Sequence, residues 1–208
     1  MTSTVLNVTN VDAKVTLLRV DHLKPHEKGS PVYLELLRKE IFRDGMLKYP
    51  IVADKKTHVI LDGMHRWLAL KSLGYELIPV ILTDALKDTV RVGRRRIHRY
   101  TSGIDNEITV EQVILAGISG RLMEPRSTRH FFRFSKFQIN VPLHLLKKNE
   151  AQDVSKYIAK LTPKESRAAL EQWLDEISEE LDFLSKRTEE VEREKKEFLN
   201  RVKSLSNT

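Results

Sequence analysis

The run Val59-Ile60-Leu61-Asp62-Gly63-Met64-His65-Arg66-Trp67-Leu68-Ala69-Leu70 constrains the fold more than any other part of the chain. Its aliphatic start reads as a buried strand, Asp62-Gly63 as a turn, and the rest as a helix with His65 and Arg66 in its first turn. The first N–H groups of a helix lack intrahelical partners, and the helix dipole adds partial positive charge there. A glycine just before that point lets an anion approach the backbone. The junction is therefore a candidate phosphate cradle built from Gly63, Met64, His65 and Arg66. The plainer reading is an ordinary strand-to-helix turn that holds a His and an Arg.

The flanking sequence extends this pattern. Val15 to Val20 reads as a strand that leads into a Pro25-containing loop. Ser30-Pro31 supplies an N-cap and a proline at the first helical position, and Asp44-Gly45 ends that helix. Pro50 to Ala53, Val59 to Leu61 and Ile78 to Leu82 are short strands, and Gly74 closes the signature helix. Thr109 and Gln112 have capping-box spacing and start a helix toward Ile118. Strands alternating with helices predict a compact α+β domain over residues 1–150.

Residues 151–208 differ in kind. After Thr162-Pro163-Lys164-Glu165, a helix start, no Gly or Pro follows. Positions alternately four and three apart are Leu170, Leu174, Ile177, Leu181, Leu184, Thr188, Val191, Lys195, Phe198, Val202 and Leu205, nine of them apolar. That 3.5-residue period predicts a coiled-coil helix. About 40 residues at 1.5 Å each span about 60 Å, more than a small head can cover. A homodimer through this helix is the expected assembly; the alternative is one long helix folded back on the head.

Charge divides along the same line. Residues 151–208 hold 11 basic and 13 acidic side chains, while the first 150 hold 25 and 16, a net of +9. A basic head implies an anionic partner. The densest cluster is Arg91, Arg94, Arg95, Arg96, His98 and Arg99, with only Tyr100 as an aromatic neighbour, so a single-strand stacking platform is not expected. With no cysteine there is no disulfide, thiolate nucleophile or Cys-ligated zinc. No apolar run is long enough to span a bilayer, and no secretory leader is visible, so the expected location is the cytoplasm.

Three segments then narrow the function. They are Leu23-Lys24-Pro25-His26-Glu27, the Asp62-Gly63-Met64-His65-Arg66 turn, and Glu124-Pro125-Arg126-Ser127-Thr128-Arg129-His130. In this order they resemble the ParB/sulfiredoxin superfamily, and within it the archaeal free L-serine kinases, over roughly residues 15 to 140. The resemblance implies a ParB/sulfiredoxin-like head that transfers phosphate from ATP or ADP, with Mg²⁺, to free L-serine, feeding cysteine biosynthesis. It implies Glu27 as the catalytic carboxylate, with His65 also in the catalytic centre. Such a carboxylate orients the acceptor hydroxyl and takes its proton. Asp62, at a strand end beside the phosphates, suits Mg²⁺, or alternatively caps the helix. Arg126, Ser127, Thr128, Arg129 and His130 offer guanidinium, hydroxyl and imidazole groups, and the resemblance assigns them to the amino-acid side of the site.

Met64 departs from the family pattern, which has a His there, and the stretch from Asp84 to Leu122 is shorter than in the longer family members. Sulfiredoxin chemistry needs a cysteine inside the motif and is excluded. The alternative is a ParB-like nucleotide- and DNA-binding protein. The acidic balance of the tail and the lack of a helix-turn-helix pattern make nucleic acid the less expected partner.

Overall fold

A computed structural model describes residues 5–6, 14–87, 90–94, 108–134 and 137–205. The chain divides into two compact units, Met1–Lys160 and Leu161–Thr208. The first extends past the expected boundary at 150. Gly29 N–H donates to Tyr157 O (2.8 Å), Ala159 N–H donates to Gly29 O (2.9 Å), and the Tyr157 ring packs edge-on against Trp67.

A five-stranded sheet organises the head. Its strands are β1 (Val5–Leu6), β2 (Val15–Arg19), β4 (Ile51–Asp54), β5 (Ile60–Asp62) and β6 (Leu77–Thr83), in the order β1-β2-β6-β4-β5. Only the β4–β6 pair is parallel, so the sheet is mixed. All four residues of β4 are buried, which requires cover on both faces of the sheet. On one face Leu17, Ile51, Ala53, Ile60, Ile78 and Val80 pack with residues of α1 (Pro31–Asp44) and α2 (Met64–Ser72). On the other, Val15, Val52, Val59, Leu61 and Ile81 pack with residues of α3 (Val110–Ser119) and a two-stranded ribbon. That ribbon pairs β7 (Val90–Arg94) with β8 (Thr128–Phe132), antiparallel, Val92 opposite His130. A second small pair joins β3 (Met46–Leu47) to β9 (Val141–Pro142).

Local signals in the sequence set the helix ends. The Ser30 hydroxyl accepts from Tyr33 N–H at the start of α1, and α3 carries the full Thr109/Gln112 capping box. Asp54 holds the tight β4–β5 turn. Its carboxylate accepts from the N–H groups of Lys56 and Thr57, from the Thr57 hydroxyl, and from Ala85 N–H. Burial pushes the Asp54 carboxyl up, but these four donors outweigh it and hold it below the ordinary carboxylate value. Gly74, at φ +82°, is required where it stands. A Cβ there would lie 2.4 Å from Asn149 O and 2.6 Å from Glu150 O, both backbone atoms that do not yield.

The second unit contains one helix, α4 (Pro163–Leu205), begun by a reciprocal Thr162–Glu165 cap. Its seam side chains Leu174, Ile177, Leu181, Leu184, Val191, Phe198 and Val202 are between 41% and 65% exposed. Thr188 interrupts the seam without an unpaired polar group, because its hydroxyl donates to Leu184 O (2.8 Å). No helix among the described residues is long and apolar enough to cross a membrane.

Candidate active site

The loop from Leu23 to Ser30 is an extended segment, pinned from three directions. Lys24 pairs with Val59 beside β5. Met123 N–H donates to His26 O, and Lys28 N–H donates to Met123 O. Gly29 pairs with Ile158. Glu27 therefore has a fixed backbone, and its side chain is buried, with the residue 7% exposed. Backbone pairing on this scale holds a carboxylate in place without a rigid helix beneath it.

His26 ties its own segment to β5, which leads into the Gly63 turn, and to β8. It is 2% exposed. Its Nδ1 lies 2.6 Å from Ile60 O on β5, and its Nε2 lies 2.8 Å from Thr128 Oγ1 on β8. A carbonyl only accepts, so Nδ1 donates. Burial lowers the ring's pKa to about 4, against a smaller opposing effect of the Ile60 bond. Thr128 Oγ1 also lies 3.4 Å from Glu27 Oε2, and the His26 ring stands edge-on to His130 at 5.3 Å. Sequence reasoning gave His26 no role of its own. Its only local signal is an imidazole between Pro25 and Glu27 in a segment too short to bury it unaided.

This buried imidazole makes folding pH-dependent. The folded pKa lies below the ordinary histidine value, so between the two the unfolded chain binds the extra proton. Stability should therefore fall as pH drops from about 6.5 toward 4, by up to about 3 kcal/mol from this group. Urea midpoints at pH 7 and pH 4.5 measure the loss. A His26→Phe chain should lose less over the same interval.

At the strand-to-helix turn the structure refines the expected roles. Gly63, at φ +94°, takes the N-cap position of α2, and Asp62 closes β5. A Cβ on Gly63 would lie 2.9 Å from Arg66 Nη2 and 3.0 Å from Ile51 Cγ1. Met64 is buried in the core. His65 turns inward. Its Nε2 accepts from Ser30 N–H (2.8 Å), and its ring stands edge-on to Tyr33, so that nitrogen braces the Glu27 loop against α2. Arg66 reaches back along the turn, donating to Asp62 Oδ2 (2.7 Å) and to Pro50 O. Trp67 packs as expected, its Nε1–H donating to Val20 O (2.8 Å).

The Arg126–His130 run divides between two faces. Thr128, His130 and Phe132 point toward His26 and the core, as their contacts show. Arg129 lies on the opposite face of β8, where it and Arg91 each sit 5.6 Å from the Phe131 ring centre. Arg126 adopts φ +56°, an uncommon left-handed conformation for a side-chain-bearing residue. Next to it, Ser127 Oγ is buried with no hydrogen-bond partner among the described residues. A buried hydroxyl of this kind is completed by a ligand or water. Of the basic cluster, Arg91 and Arg94 lie on β7; Arg95, Arg96, His98 and Arg99 lie outside the described residues.

Known proteins resemble parts of this chain. The chain is 36% identical over 95 residues to an ATP-dependent L-serine kinase of Staphylothermus marinus, covering 43% of this chain and 36% of that protein. It is 37% identical over 82 residues to the same-named protein of Desulfurococcus mucosus, covering 36% and 31%. A ParB-like protein of Sulfolobus acidocaldarius is 42% identical over 72 residues, covering 34% and 35%. The chain thus spans about a third of the length of the curated relatives it matches. No protein-family model matches it. Among solved structures, a free serine kinase in complex with AMP superposes with a TM-score of 0.57 at 18% identity, over 67% of this chain and 95% of that one. A conserved hypothetical protein from Pyrococcus furiosus gives 0.55 at 18%, over 68% and 100%. Over about two thirds of its length this chain has the fold of the free serine kinases.

Proposed function

We propose that the protein phosphorylates free L-serine to O-phospho-L-serine, with ATP or ADP as donor. The observation that carries this reading is the convergence of Glu27 and Thr128 on His26, within reach of the strand that opens the Gly63 turn. In the reaction the serine hydroxyl oxygen attacks the terminal phosphorus of the nucleotide. Glu27 takes the hydroxyl proton, a P–O bond forms to serine, and the bond to the leaving ADP or AMP breaks. The Gly63-started N-terminus of α2 receives the phosphates, with Arg66 holding Asp62 at its edge. Ser127 and Arg126 take the amino-acid side. Arg129, on the far face of β8, has no place in this scheme.

Mg²⁺ commonly binds through one or two carboxylates together with phosphate oxygens and water, so it would arrive on the nucleotide. Asp62 would be the carboxylate that holds it, and when bound the ion would supply neutralisation of phosphate charge. The kinase names of the relatives support this reading, and a basic head suits a nucleotide. A cytoplasmic setting, with the product passing to cysteine biosynthesis, is part of the same proposal. The test is serine-dependent conversion of ATP to ADP, or of ADP to AMP, by the purified chain. Nucleotide that is never consumed, together with salt-sensitive binding of duplex DNA, would favour the ParB-like alternative.

The tail is assigned to assembly. Seven exposed seam side chains on one helix form an apolar stripe longer than monomers leave in water. A second copy of α4 covers it as a two-fold coiled coil. Light scattering should give a dimer for the full chain. Replacing Leu181 and Leu184 together by Glu should raise the dissociation constant at least about 100-fold, since two carboxylates would enter the seam. A monomeric parent chain, or an unaffected double variant, would remove α4 as the assembly element.

A further inference from the structure

His26 does more than fill space between the loop and the sheet. Its Nδ1 must carry a proton, because the Ile60 carbonyl 2.6 Å away can only accept. Burial keeps the ring neutral near pH 7, which leaves Nε2 as an acceptor. The neighbouring Thr128 hydroxyl has one proton to give and two candidate acceptors: His26 Nε2 at 2.8 Å and Glu27 Oε2 at 3.4 Å. The shorter contact takes it. The Thr128 oxygen then presents lone pairs, not a proton, to Glu27.

We propose that His26 is a positioning residue for phosphoryl transfer: by accepting the Thr128 hydroxyl hydrogen bond at Nε2, it prevents that hydroxyl from donating to the Glu27 carboxylate. A hydrogen bond to a carboxylate stabilises its charged form and lowers its basicity. Keeping Thr128 turned away preserves Glu27 as a proton acceptor for the substrate hydroxyl. The inference rests on the kinase reading above, in which Glu27 accepts that proton.

Two measurements test it. Long-range proton–nitrogen NMR correlations on the ¹⁵N-labelled full chain at pH 7 read the tautomer directly. The expected result for His26 is a protonated Nδ1 and a bare Nε2. A proton on Nε2, in either the other tautomer or the imidazolium, overturns the proposal, because it would send the Thr128 proton to Glu27. The second measurement is kinetic. His26→Phe should lower kcat at least about tenfold and leave nucleotide KM within about twofold, because it frees the Thr128 proton to bond the base. Adding Thr128→Val removes that proton, so the double variant should be at least about threefold faster than His26→Phe alone.

A purely structural role for His26 makes the double variant no faster, and that result overturns the proposal. If His26→Phe does not fold, the tautomer of the parent chain decides. A parent chain that makes no phosphoserine overturns the kinase reading whatever its tautomer; an active chain with the wrong tautomer overturns this inference alone.

Discussion

Glu27→Gln should lower kcat for serine phosphorylation about 10³-fold, equivalent to about 4 kcal/mol of transition-state stabilisation. The nucleotide dissociation constant should stay within about twofold. Both expectations come from where the side chain sits. Glu27 is held by backbone pairing of its own loop to Met123, so an isosteric amide leaves the loop in place. What the amide loses is the ability to accept the acceptor's proton as that proton leaves, which matters chiefly in the transition state. The phosphate cradle lies on another element, α2, and does not depend on this carboxylate. Steady-state kinetics and nucleotide titration calorimetry separate the two effects. A Glu27→Gln chain within tenfold of the parent in kcat would remove Glu27 as the base.

Trp67→Ala should cost about 4 kcal/mol of folding stability, a large part of the 5–15 kcal/mol of a typical domain. The side chain is almost fully buried in the face of the sheet that carries α1 and α2. Its indole N–H donates to Val20 O at 2.8 Å, its ring meets Tyr157 edge-on at 5.0 Å, and Lys71 Nζ lies 5.6 Å from the ring centre. Truncation opens a cavity and removes the shorter of the two hydrogen bonds that Val20 O accepts, leaving only that from Leu23 N–H at 3.3 Å, and both costs add. Urea unfolding followed by circular dichroism measures the change. A loss under about 2 kcal/mol would mean that the surroundings collapse onto the gap. Because Trp67 directly follows Arg66 on α2, the variant should also loosen the turn that receives the phosphates.

The parts of the fold that the sequence made legible are those with local causes. Ser30-Pro31, the Thr109/Gln112 box, Gly74 and the aliphatic runs of β2, β4, β5 and β6 each act within a few residues, and each element formed where they stand. The β7–β8 ribbon was hidden. Thr128-Arg129-His130-Phe131-Phe132 does alternate, but His and Arg on its two faces mask the contrast in polarity that marks a half-buried strand. Its partner begins far upstream, at Val90. The five residues Arg126–His130, adjacent in sequence, therefore divide between faces, with Arg129 opposite Thr128 and His130.

The site shows the same limit. Glu27, Gly63 and Thr128 were legible as members of ordered segments. Their common partner was not, because His26 is defined by groups 34 and 102 residues away. His65 and Arg66 stand where cations at a helix start invite a ligand. In the structure the backbone of Ser30 and the carboxylate of Asp62 engage them.

The central claim is that Glu27 and the Gly63 turn together move phosphate onto free serine. It is tested most directly by ³¹P NMR of the full chain with Mg²⁺, L-serine, and ATP or ADP. The expected result is a resonance coincident with authentic O-phospho-L-serine that grows with time, requires L-serine, and is lost in the Glu27→Gln chain. No such resonance with either nucleotide, or an equal one from Glu27→Gln, would contradict the claim.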